Sequence, residues 1–108
     1  MKTVSLAMVF AGAALANVAL AADIEAGRNS SEACAACHGK DGKTPIDPTY
    51  PKIAGQYPDY MAKAMNDYKT GARKNAIMGA IAKPLSKQDI ENLAAYFASL
   101  PGPLTHRK

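Results

Sequence analysis

The chain has 108 residues, with 13 Lys and Arg against 9 Asp and Glu, a formal charge of +4, two Cys and no Trp. That length holds one small domain and excludes two. Acids are interspersed among the bases rather than set apart from a basic block, which argues against a nucleic-acid-binding face. The 48% hydrophobic share is inflated by the first 22 residues, whose one charged side chain is Lys2.

In chain order, the first element is a leader. Lys2, the apolar run Leu6 to Ala16 and the A-x-A site Ala19-Leu20-Ala21 predict a signal peptide over residues 1–21, exporting a domain of residues 22–108 to the periplasm. Asn17 interrupts the run, which falls short of the roughly 20 apolar residues that span a bilayer. No transmembrane segment is therefore expected once the leader is removed. A helix is expected from about Asp23 to Cys37, with Ile24, Gly27 and Ser31 on one face, although Gly27, Asn29, Ser30 and Ser31 are weak helix formers. Gly39 to Gly55 contains Pro45, Pro48 and Pro51 with Asp41, Gly42 and Asp47, the composition of an ordered loop. A helix should begin at Pro58, run through Met61, Met65 and Tyr68, and stop at Gly71. The strongest periodicity lies between Ser86 and about Leu100: Ile90, Leu93, Ala94, Phe97 and Leu100 share a face with Tyr96 at its edge. Ser86-Lys87-Gln88-Asp89 resembles a capping box, and Pro101-Gly102-Pro103 ends the helix. Strands have almost no support, so the fold class is all-α with long loops.

A domain this small, with one Phe after the leader and many Ala, has difficulty burying enough apolar area to offset its chain entropy. A Cys34–Cys37 disulfide would close too short a loop to help much, so the missing core is expected to be a cofactor. Cys34-Ala35-Ala36-Cys37-His38 is a C-x-x-C-H sequence, the attachment motif of c-type haem. Two thiols three residues apart on one helical turn can each form a thioether with a haem vinyl group, leaving His38 beneath the iron as proximal ligand. A redox dithiol, half a zinc site or an inert disulfide would each use the cysteines but leave His38 unexplained. The other histidine, His106, lies in a charged, proline-rich tail and reads as solvated.

With these features the chain resembles class I cytochromes c, and more closely one domain of the dihaem cytochrome c(4) group and its small monohaem relatives. The resemblance rests on Cys34 to Gly39, Asp41-Gly42, Tyr50 to Gln56, Gly71 to Asn75, Met78, Pro84-Leu85-Ser86 and Leu93 to Phe97. It implies about four helices and long loops wrapped around one covalently attached haem c. It also implies a methionine as sixth iron ligand: Met61 and Met65 read as core packing on a helix, whereas Met78 matches the family's ligand position. The same resemblance implies that the Pro51 carbonyl orients His38, that Ile53 packs on the haem, and that Gln56 or Arg73 meets a propionate, with Asn75 near the Met78 sulfur. Gly27 would let the first helix cross Tyr96 or Phe97 closely, and Ser31 stands where a larger apolar residue would strengthen that contact.

The expected function is one-electron transport between a donor and an acceptor protein, a membrane oxidase or reductase being a candidate partner; no enzymatic activity is expected. His and Met ligation suits this because both ligands persist in both oxidation states, and the thioether favours ferrous iron. A haem subunit held in an oxidoreductase complex is the alternative, followed by a haem enzyme or gas sensor, against which Met78 argues. Docking is expected at the haem edge around Gly79, Ala80 and Ala82, ringed by Lys40, Lys74 and Lys83.

Overall fold

Five helices follow one another in the computed structural model, which describes residues 21–104: α1 Ile24–Ser30, α2 Glu32–His38, α3 Pro58–Thr70, α4 Ala76–Ala82 and α5 Lys87–Ser99. No strand occurs among the described residues. The expected leader, apart from its last residue, and His106 lie outside them.

The single helix expected from Asp23 to Cys37 is two helices. The Asp23 carboxylate accepts from the Ala26 N–H and caps α1. At Ser31 the backbone N–H and the hydroxyl both turn back to the Arg28 carbonyl, at 3.1 and 2.6 Å. This is the local competition by which serine breaks helices, and it starts α2 in a new direction with the two thiols and His38 on it.

α5 is the beam on which the rest is built. Its capping box is complete, with Ser86 Oγ accepting from the Asp89 N–H at 3.0 Å and the Asp89 carboxylate accepting from the Ser86 N–H at 2.9 Å. Ile90, Leu93, Ala94, Tyr96 and Phe97 are buried, as the spacing predicts. Asn92 is buried among them, and its Oδ1 accepts from the Asp23 N–H and from Gln88 Nε2, each at 2.8 Å. This bond holds the start of α1 against α5. Between the two helices Gly27 is obligatory: a Cβ there would sit 2.1 Å from the Asn92 carbonyl oxygen and 2.8 Å from Tyr96 Cβ. The expected close crossing is thus present, and Ser31, also buried, fills its end with a self-satisfied hydroxyl.

α3 starts at Pro58 and ends at Gly71, whose φ of 84° supplies the left-handed residue that terminates helices. It packs on α5 through Met61, which joins Leu93, Ala94, Tyr96 and Phe97 in the core, with Met65, Ile53 and Cys34 against them. The loop between α2 and α3 is ordered by its own bonds. Asp41 accepts from Lys43 N, Thr44 N and Thr44 Oγ1, the Gly42 carbonyl accepts from Ile53 N and Ala54 N, and Gly55 N donates to the Phe97 carbonyl. Those bonds, the Thr44 hydroxyl foremost, hold the Asp41 carboxyl below the usual range. The segment carrying Met78, expected only to fold over the haem edge, is itself helical: Asn75 Oδ1 accepts from Ile77 N and Met78 N, both at 3.0 Å, and nucleates α4.

Candidate functional site

α2, α3, α4, α5 and the long loop surround a cavity of about 510 Å³, a size suited to a single organic cofactor. Every site residue named from the sequence lines it: Cys34, Cys37 and His38 from α2, Pro51, Ile53 and Gln56 from the loop, Arg73 after α3, and Met78 from α4. Residues from four separate stretches of chain thus line one cavity.

Cys34 and Cys37 form no disulfide with each other, and each is half-buried. Burial pushes the Cys34 thiol above its ordinary value, against its own backbone hydrogen bond. His38 is almost fully buried, and its Nδ1–H donates to the Pro51 carbonyl at 2.7 Å. With Nδ1 so engaged, the lone pair belongs to Nε2, the form of imidazole that binds a metal. The Tyr50 ring meets the His38 ring edge-on, at 6.3 Å between centroids and 72° between planes. The neighbouring Cys37 is the leading cause that holds the Tyr50 phenol above the normal value.

Met78 is half-buried in the first turn of α4, its backbone fixed by Asn75. Asn75 therefore acts through the helix cap that orients Met78, a role its position alone did not reveal. Met61 and Met65 belong to the core as expected, yet both also face the cavity. Its floor is apolar, from Leu93, Ala94, Phe97 and Ile53. Among the described residues the permanent charges on its wall are Lys52 and Arg73, and no Asp or Glu lines it. Paired thiols, an imidazole with its second nitrogen occupied, a thioether, an apolar floor and a positive rim together fit haem, which needs attachment, two axial ligands, a dry face and partners for its propionates.

Several wall residues had escaped the sequence reading. Tyr60 and Ala64 extend the Met61, Met65, Tyr68 stripe of α3 at helical spacing, but tyrosine's polar tip hid the continuity. Ile77 and Ile81 became visible only once α4 was known to be a helix. Of the residues expected at a docking surface, Lys40, Lys74, Lys83 and Ala80 are exposed and Gly79 half-buried. Ala82 is fully buried and cannot belong to that surface, because α4 turns it inward; Ile77, 53% exposed, takes its place on the outer face.

Comparison with known proteins places these features in context. Residues 24–101 match the cytochrome c family profile. The chain is 43% identical over 91 residues to a cytochrome c4 of Stutzerimonas stutzeri, covering 76% of this chain and 43% of the relative. The chain thus spans less than half the length of that relative. It is 39% identical over 82 residues to cytochrome c-554(548) of Halomonas halodenitrificans, covering 73% of this chain and 98% of the relative. Among solved structures, reduced recombinant cytochrome c4 from Pseudomonas stutzeri superposes with a TM-score of 0.71 at 42% identity, over 76% of this chain and 47% of that one.

Proposed function

Because this chain belongs to the cytochrome c family and its cofactor is therefore covalently bound haem c, we propose that it is a periplasmic one-electron carrier, not a catalyst, exported by residues 1–21. In this reading Cys34 and Cys37 would hold the haem through thioethers, and His38 and Met78 would be the ligands of its iron. The observation that carries it is the convergence of both thiols, the Pro51-bound imidazole and Met78 on one cavity.

When bound, the haem supplies an iron that alternates between ferric and ferrous states. The chain's own residues make that change easy. Pro51 keeps the proton on Nδ1 of His38, so the ring neither rotates nor changes tautomer when charge arrives. Asn75 fixes the helical turn that presents Met78, and a thioether stabilises ferrous iron relative to a second imidazole. Leu93, Ala94 and Phe97 keep water from the inner face, so little solvent has to reorganise. Arg73, Lys52 and Gln56 are the groups available to the propionates.

Donor and acceptor proteins dock over α4 near Gly79 and Ala80, within the ring of Lys40, Lys74 and Lys83. The 39% identity over 70 residues to the cytochrome subunit of sulfide dehydrogenase of Chlorobaculum tepidum favours, as a second reading, an electron-transfer haem subunit held in an oxidoreductase complex. A free carrier purifies alone from the native periplasm; a subunit purifies with its complex. Mass spectrometry of the protein under denaturing, reducing conditions tests the primary reading. It should retain one haem mass, and a chain carrying only two thiols or a disulfide would refute it. Cys34→Ala with Cys37→Ala should leave the chain without haem and unfolded, since the core loses its central apolar body.

A further inference from the structure

The end of α3 holds an arrangement that haem attachment and axial ligation do not use. Gly71 turns the chain back on itself, and Arg73 N then donates to the Asp67 carbonyl at 3.0 Å. The reversal lays the Arg73 guanidinium over the Tyr68 ring, 4.9 Å from its centre. Both residues are on the cavity wall. Arg73 forms no ion pair among the described residues, and no carboxylate lines the cavity. Elsewhere on the chain Arg28 meets Glu25 and Lys63 meets Asp67, so cations with a neighbouring acid do pair. Arg73 is held instead by an aromatic face, which fixes its position while leaving its hydrogen-bond donors free.

A guanidinium fixed at the mouth of a cavity without an acidic partner is placed for an anion that the chain does not supply. Haem brings two carboxylates. We infer that Tyr68 is a positioning residue for electron transfer: its ring holds Arg73 against the haem propionates, where the fixed positive charge favours ferrous over ferric iron. This rests on the reading of the cavity as the haem site. Reduction adds one electron from the donor protein to ferric iron, with no bond made or broken and no proton taken up. Without the ring, the flexible arginine extends into solvent, where water and salt screen its charge from the iron.

The test is spectroelectrochemical titration of the holoprotein and its variants, with haem attachment verified by mass in each. Tyr68→Phe keeps the aromatic face and should keep the reduction potential. Tyr68→Leu should lower the equilibrium constant for reduction two- to threefold, about 20–30 mV at 59 mV per tenfold for one electron, and Arg73→Gln should lower it at least as much. In the Arg73→Gln background, Tyr68→Leu should change nothing further. A potential unmoved by Tyr68→Leu overturns the inference, and so does an equal fall with or without Arg73, which would assign Tyr68 to packing alone. Loss of the haem mass from the unsubstituted protein instead overturns the reading of the cavity and is distinguished at once.

Discussion

Replacing Gly27 with Ala tests the geometry that sets the two terminal helices against each other. The new Cβ would lie 2.1 Å from the Asn92 carbonyl oxygen, a backbone atom with no rotamer to yield. To reach an ordinary contact of about 3.4 Å, α1 must retreat by roughly 1.3 Å. That retreat stretches the 2.8 Å bond from Asp23 N to Asn92 Oδ1 beyond hydrogen-bonding range. Overpacking costs about 1–3 kcal/mol and the lost bond about 0.5–1.5 kcal/mol, while Ala in place of Gly returns up to about 1 kcal/mol of helix propensity. Those ranges combine to a net loss centred on about 2.5 kcal/mol, which for a domain of this size lowers Tm by roughly 10–20 °C. Thermal unfolding of the holoprotein, followed by far-ultraviolet circular dichroism, reads this directly. Gly71→Ala is the control: a Cβ there meets nothing within 4 Å, so only the cost of its positive φ, about 1–2 kcal/mol, applies. A Gly27→Ala protein as stable as its parent, or less affected than Gly71→Ala, would refute the crossing described.

Three further outcomes are expected. Met78→Ala should abolish the weak sulfur-to-iron absorption band and lower the potential, whereas Met61→Leu and Met65→Leu should leave both nearly unchanged; loss of the band in either leucine variant reassigns the ligand. Asp41 and Asp89 are held below the ordinary carboxylate range by hydrogen bonds from Thr44 and Ser86, so their stabilisation is present above the unfolded value, near pH 3.9, and is lost as pH falls through the lower folded values. Asp41→Asn should accordingly flatten the decline of stability on acidification below about pH 4, and an unchanged acid limb contradicts the assignment. The rate of electron transfer to a partner should fall gently with ionic strength, because the full chain carries only +4 and its bases are dispersed; a steep fall would reveal a concentrated charged face.

Features encoded locally were legible before the fold was known. The α5 face, its capping box and its proline stop follow from spacing and cap chemistry within one stretch, and the haem motif is a five-residue signal. What escaped depended on tertiary partners or on competing local tendencies. Ser31 broke the first helix because its hydroxyl found the Arg28 carbonyl, an outcome that low propensity permits without requiring. α4 was hidden by Gly79 in its middle and Pro84 just beyond it, though Asn75 ahead of an alanine-rich run was a usable cap signal. Asn92 is invisible to a reading that follows apolar periodicity, because its burial depends on Asp23, 69 residues away. Ala82 was assigned to the surface from its nearness in sequence to Met78, and the rotation of α4 placed it inside.

Ligation of the iron by both His38 and Met78 would separate a carrier from a haem enzyme or gas sensor. Exposure of the dithionite-reduced holoprotein to carbon monoxide at neutral pH, followed by stopped-flow absorbance, tests this most directly. Little rapid spectral change is expected, because Asn75 holds the turn that bears Met78 and Pro51 fixes the His38 ring. Fast, stoichiometric carbon monoxide binding by the native protein would contradict it.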